Sequence, residues 1–227
     1  MNDSQDSGTP LRTASKPFFF KTSEHLLRIC GEKATTLSEL LQALRRCPPE
    51  SVFQHTFRTL QEHHFIRHGF SNDFAQWALS ACNESALGER LASVDIREFM
   101  SLEDLRNSLV NILESFLAHN LGKAARTAHE PFYFCVADIF VLPTQFAPDT
   151  LSGFVDALKR VSVHSIHHHF IEARLRLKLM SNDFSQWLLE AMNLPGSARA
   201  VNRIDIHTAT LENVRQQIIH IVERALQ

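Results

Sequence analysis

"SNDFAQW" at residues 71–77 returns as "SNDFSQW" at 181–187, with six of seven letters kept and both tryptophans of the chain inside the two copies. Phe74, Trp77, Ala78 and Ala81 recur at i, i+3, i+4 and i+7, as do Phe184, Trp187, Leu188 and Ala191. That spacing places each set on one face of a helix. Asp73 with Gln76, and Asp183 with Gln186, have the separation of a reciprocal N-cap and N3 pair. The heptapeptide therefore predicts a capped helix start over a buried aromatic pair, a structural joint built twice. A functional role for its Asn or Asp is the competing reading.

Outward from this echo the two halves of the chain align almost throughout. "PFFF" (17–20) matches "PFYF" (131–134), and "TLSELLQALRR" (36–46) matches "TLSGFVDALKR" (150–160), both at an offset of 114 residues. "ESVFQHTF" (50–57) matches "HSIHHHFI" (164–171), which pairs His55 with His169. Four extra residues around "RHGF" lower the offset to 110 at the heptapeptide, and "SLEDLR" (101–106) then meets "TLENVR" (210–215). The expected architecture is a tandem duplication of a helical unit of about 100 residues, packed in pseudo-twofold fashion. Residues 1–16 read as a flexible tail, 17–119 as repeat 1, 120–130 as a linker and 131–227 as repeat 2, the repeats packing as one globular unit.

The fold class is mainly α with a small β element. Leu37, Leu40, Leu41 and Leu44 form one helical stripe, and Leu151, Phe154, Val155 and Leu158 its twin. Thr36 with Glu39 reads as a capping box. Second helices are expected over Ser51–Phe65 and His164–Leu179, third helices from the heptapeptides, and long fourth helices from Ser101 and Thr210. "FYFCVADIFVL" is aromatic and β-branched and reads as a strand, with "FFFKT" as its match.

Composition excludes several classes. A net charge of −2 lacks the basic excess of a general nucleic-acid binder. No apolar run reaches the roughly 18–20 residues that span a bilayer, and the polar N-terminus has no secretory apolar core. Cys30, Cys47, Cys82 and Cys135 show no CxxC spacing and sit in apolar segments. They read as reduced thiols, which points to the cytoplasm. There is no Gly-rich phosphate loop, GxSxG elbow or kinase signature.

Polar residues that recur between the halves need a reason beyond a shared core. They are His55 with His169, Asn72 with Asn182, Asp73 with Asp183, Asp95 with Asp205, and Arg106 with Arg215. Ion pairs Asp95–Arg106 and Asp205–Arg215 are expected to fix the fourth helices. The two histidines are expected at the contact between halves, with the second helices approaching each other and Asp73 or Asp183 within reach of an imidazole. A carboxylate there would favour the charged ring.

The densest chemistry is "HSIHHHFIEARLRLK" (164–178). His164, His168 and Glu172 follow one another at i, i+4 and i+8, one helix face that could hold a divalent metal with a further ligand from elsewhere. Against this, Glu172 aligns with Arg58 and His168 with Gln54, and neither HExxH nor ExxH is present. Arg174 and Arg176 beside these histidines suit a small anionic ligand. A solvated or partner-facing polar stripe is the alternative.

"HHHFIEARLR" and "NDFSQWLLEAM" with "LENVR", and "LGERLASVD" with "LEDLR" in the first half, resemble an uncharacterised bacterial family of domains of unknown function. Its members carry a His…EAR…NDF..W pattern, often twice. The resemblance covers nearly the whole chain after the tail and brings no established catalytic residues. The first half departs from it, with "HTFRTLQ" where the second has "HFIEARL". The expected function is a non-enzymatic binding or protein-interaction module without a resident cofactor. Its candidate ligand-binding residues are His55, Asp73, His168, His169, Glu172, Arg174, Arg176 and Asp183. The alternative is a metal-dependent or phosphosubstrate enzyme using His169, Glu172 and Asp183.

Overall fold

A computed structural model describes residues 13–57, 72–95, 98–176, 180–205 and 209–227. It is mainly helical with one two-stranded antiparallel sheet. The first half runs β1 (Lys21–Ala34), α1 (Leu37–Arg46), α2 (Pro49–Phe57), α3 (Asp73–Ser80), α4 (Ser85–Ala92) and α5 (Leu102–His119). The second runs β2 (Phe132–Pro143), α6 (Leu151–Arg160) and α7 (Val163–His167), which continues through a π-helical turn (His168–Glu172) into α8 (Ala173–Arg176). It ends with α9 (Asp183–Glu190), α10 (Pro195–Asn202) and α11 (Leu211–Arg224). The short helices α4 and α10 were not foreseen from the sequence. The expected extensions of the second helices to Phe65 and Leu179 lie outside the described residues.

The two strands pair with each other, so the sheet is built from both halves. Lys21 faces Pro143 and Ile29 faces Cys135, with His25 opposite Ile139 at the middle. The 114-residue offset carries Lys21 to Cys135, His25 to Ile139 and Ile29 to Pro143, so this stretch of the ladder maps onto itself around the His25–Ile139 pair. The register slips between Ile29 and Lys33, where Gly31 adopts φ +89°. A left-handed glycine is the residue a β-bulge of this kind takes.

Each strand's aromatic start plugs into the helices of the opposite half. Phe132 and Phe134 are buried against His55 and Phe74 of the first half, and Phe132 also meets Trp77. Phe18 and Phe20 are likewise buried against Phe154, His169 and Phe184, and Phe18 meets Trp187. Period-2 alternation sends Phe19 and Tyr133 outward, and both are exposed. The indole of Trp77 donates to the Glu130 carbonyl and that of Trp187 to the Lys16 carbonyl, each at 2.8 Å. Thr13 bridges Thr150, and the amides of Ala14 and Ser15 donate to Asp149 and Ala191. Thr13–Lys16, read as tail, are thus fastened to the second half. Each second helix also rests on the strand of the other half: α2 packs on β2, and α7 packs on β1.

Helix ends follow local chemistry, with three corrections. Thr36 caps α1 by accepting from the Glu39 amide, but the Glu39 carboxylate returns to the amide and hydroxyl of Thr35. The N-caps of α3 and α9 are Asn72 and Asn182, which accept from Ala75 and Ser185, not Asp73 and Asp183. Asn83 and Asn193, beyond the ends of these helices, both take positive φ, as C-terminal Asn residues can. Arg106 and Arg215 do not form the expected ion pairs with Asp95 and Asp205. Arg106 donates to the carbonyls of Leu44 and Arg45, and Arg215 to those of Leu158 and Val161. They therefore close the C-termini of α1 and α6, whose last carbonyls lack helical partners. Their charges face Glu103 and Glu212, each three residues before.

Candidate functional site

With Asn as the cap, Asp73 and Asp183 open their helices free to turn toward the preceding histidine. His55 Nδ1 lies 2.8 Å from Asp73 Oδ2, and His169 Nδ1 lies 2.8 Å from Asp183 Oδ2. The other ring nitrogen of each accepts a backbone amide from the opposite half: Cys135 N to His55 Nε2 at 2.9 Å, and Lys21 N to His169 Nε2 at 2.8 Å. An Nε2 that accepts carries no proton, so each ring is the neutral tautomer with its proton on Nδ1. The charged ring expected from the carboxylate alone would turn a second N–H against the amide. Both histidines are buried, and their predicted place at the contact between halves holds. They are structural clamps between helix and strand.

A different set of groups gathers at Glu172. The π-helical turn widens the local spacing to i, i+5, which lets two successive histidines reach one carboxylate. His168 Nδ1 lies 2.9 Å from Oε2, and His167 Nδ1 lies 3.0 Å from Oε1. From β1, Ser23 donates its hydroxyl to Oε1 at 2.6 Å, and His25 Nε2 stands 2.6 Å from the same oxygen. Burial alone would raise the Glu172 pKa, but the hydrogen bonds from His167, His168, His25 and Ser23 outweigh it and hold the carboxyl well below its usual range. For His167, burial is the largest influence and lowers its pKa, against the opposing hydrogen bond and charge of Glu172. His167 is 3% exposed, and its Nε2 has no hydrogen-bond partner. Leaving a buried acceptor unpaired costs about 1–3 kcal/mol, so this atom needs a reason.

Both His167 and Glu172 line a cavity of about 450 Å³, together with His25, Gln54, Phe53, Phe57, Ala137, Ile139 and Phe140, and with Glu50 and Asp138 at its exposed margin. The cavity lies beside the midpoint of the strand ladder. Residues in its walls and directly behind them occupy positions that match under the 114-residue offset yet differ in chemistry. Ser23 corresponds to Ala137, His25 to Ile139, His167 to Phe53 and His168 to Gln54. One wall is imidazole and carboxylate, the other mostly apolar.

Of the residues expected to bind, His168 and Glu172 belong to this cluster, while His55, Asp73, His169 and Asp183 form the two clamps. His164 is exposed and does not join Glu172 in a ligand set. The sets that converge are His25–His167–Glu172 and His168–His169–Asp183, each with its ligand atoms within 4.8 Å of one another. In the second set, both nitrogens of His169 and Nδ1 of His168 are engaged by the bonds above. Arg174 is buried, reaches the backbone and side chain of Asn202 and lies over the Phe170 ring. It does not line the cavity, and the Arg176 side chain lies outside the described residues. All four cysteines are free. Burial pushes the Cys47 and Cys82 thiols up to about 12, too high for a thiolate nucleophile. Among the described residues, no helix is long and apolar enough to cross a membrane.

A family of unknown function, DUF5752, matches residues 15–223. The chain belongs to that family. The solved structure of OrfY from Thermoproteus tenax is similar to this DUF5752 protein, with a TM-score of 0.82 and 29% sequence identity over 94% of this chain and 97% of OrfY. No curated protein matches the chain.

Sequence reasoning missed Ser23, His25 and His167. His25 and Ser23 lie 147 and 149 residues from Glu172, beyond any local spacing rule. His167 was passed over because α-helical spacing turns it away from Glu172, whereas the π turn brings it back.

Proposed function

We propose that this DUF5752 protein is a non-enzymatic binding protein that takes one small molecule in the cavity beside the strand ladder. The observation that carries this reading is the pair of unlike walls. An apolar body would rest on Phe53, Phe57, Ile139 and Phe140, while a polar head group faces His25, His167 and Glu172. The volume lies within the roughly 300–1,000 Å³ of small-ligand sites, which combine apolar linings with a few convergent polar groups. The described lining carries the carboxylates of Glu50, Asp138 and Glu172.

The same comparison supports a tandem duplication with pseudo-twofold packing. Both halves run through the same order of elements, and both clamps bind the strand of the opposite half. At the cavity one half presents an apolar wall and the other presents histidines. Four free thiols support a cytoplasmic location.

Fluorescence titration with the neutral apolar probe 1-N-phenylnaphthylamine tests the reading. Wild-type protein binds one equivalent, and Ala137→Trp, which fills the cavity from β2, abolishes binding while the far-UV spectrum is unchanged. Binding that survives Ala137→Trp, or no binding to the wild type, refutes it.

A further inference from the structure

We propose that His25, His167 and Glu172 form a divalent transition-metal site on the polar wall of the cavity. This deepens the binding reading, because the ion would present its open coordination positions to the ligand's head group.

The donor set is two imidazoles and one carboxylate, a composition that holds ions of the zinc and iron kind while leaving positions open. The three residues come from two distant segments, β1 and the helix that runs from α7 through the π turn, and their ligand atoms lie within 4.8 Å of one another. Donors about 2.1 Å from a shared ion stand roughly 3.0–3.4 Å apart. His167 Nδ1 is already 3.0 Å from Glu172 Oε1. His25 Nε2, at 2.6 Å from the same oxygen, needs to withdraw by less than about 1 Å. It can do so, since its side chain is 15% exposed at the cavity rim.

An independent observation points the same way. His167 Nε2 is buried without a partner on a ring that lines the cavity. With Nδ1 on the ion, Nε2 becomes the N–H that a metal-bound imidazole gives to an acceptor, and a ligand in the cavity would supply the acceptor that the protein does not. His168, at 2.9 Å from Oε2, and the Ser23 hydroxyl at 2.6 Å from Oε1, fix the carboxylate from outside the ligand set. Such outer partners orient metal ligands.

The charge pattern agrees. Glu172, with Glu50 and Asp138 at the margin, makes the described lining anionic. A divalent cation offsets that charge and allows the cavity to accept an anionic or lone-pair head group that the side chains alone would repel.

The test is isothermal titration of chelator-treated, tag-free full-length protein with Zn²⁺ and with Mn²⁺. The expected result is one ion per chain, with affinity for the preferred metal falling at least about 100-fold in His25→Ala and in Glu172→Gln, and about 10–100-fold in His168→Phe. Asp183→Asn, at the neighbouring clamp, should leave affinity within about threefold, which separates loss of the site from loss of the fold; far-UV spectra and urea midpoints of His25→Ala and Glu172→Gln check that both variants remain folded. Failure of both metals to bind, or binding unchanged in His25→Ala and Glu172→Gln, overturns the proposal. Binding abolished by Asp183→Asn but not by His25→Ala also overturns it. Because the probe titration contains no metal, cavity binding can stand while the metal site falls.

Discussion

His169 accepts the Lys21 amide on Nε2 while its Nδ1 meets Asp183 at 2.8 Å, so one imidazole joins a helix of the second half to a strand of the first. His55 repeats the arrangement between Asp73 and the Cys135 amide. Replacing either histidine with Phe keeps the ring volume but leaves a strand amide and a carboxylate without that partner. Each change should lower unfolding free energy by about 1–3 kcal/mol, measured by urea denaturation. The clamps share no residue, so the double variant should be additive within about 0.5 kcal/mol. A neutral His169→Phe would show that the clamp does not hold the halves together.

The heptapeptide makes a sharper distinction. Asn72→Ala and Asn182→Ala remove true N-caps and should each cost about 0.5–2 kcal/mol. Trp77→Ala and Trp187→Ala should cost roughly 3–5 kcal/mol, whereas Trp187→Phe, which loses chiefly the bond to Lys16, should cost about 1 kcal/mol. Chemical denaturation of the set checks the order. A Trp187→Phe variant as damaged as Trp187→Ala would mean that the indole bond, not ring burial, dominates.

Acid should destabilise the protein before ordinary carboxylates titrate. His167 has its pKa lowered on folding from 6.5, so its unfolded form binds the proton first and stability falls as pH drops below about 6.5. Glu172 is lowered from 4.5, adding a further loss below about 4.5. Both signs agree: stability is fullest above the unfolded pKa and declines with acid. Urea midpoints from pH 8 to pH 4 should decrease throughout the lower half of the range. A midpoint that rises between pH 7 and pH 5 contradicts the buried neutral His167.

Much of the fold was legible because apolar stripes and capping residues are local signals. Leu37–Leu44 and Leu151–Leu158 carried their helices, and "FYFCVADIFVL" its strand. Two features escaped for physical reasons. The pairing of β1 with β2 and the plugging of Phe18 and Phe132 into opposite halves are long-range choices that no window of sequence encodes. The π turn also breaks the 3.6 periodicity on which the reading of His164, His168 and Glu172 relied. The polar residues that recur between the halves include both clamps, since joints are what both halves need. The cavity chemistry lies where matched positions disagree, His25 against Ile139 and His167 against Phe53, and that disagreement was present in the sequence.

The most direct test of the binding account is crystallography of the protein soaked with 1-N-phenylnaphthylamine. The account predicts density for the probe between Phe53 and Phe140, with its amine directed toward His167. Probe density elsewhere on the molecule, with this cavity holding only water, would contradict it.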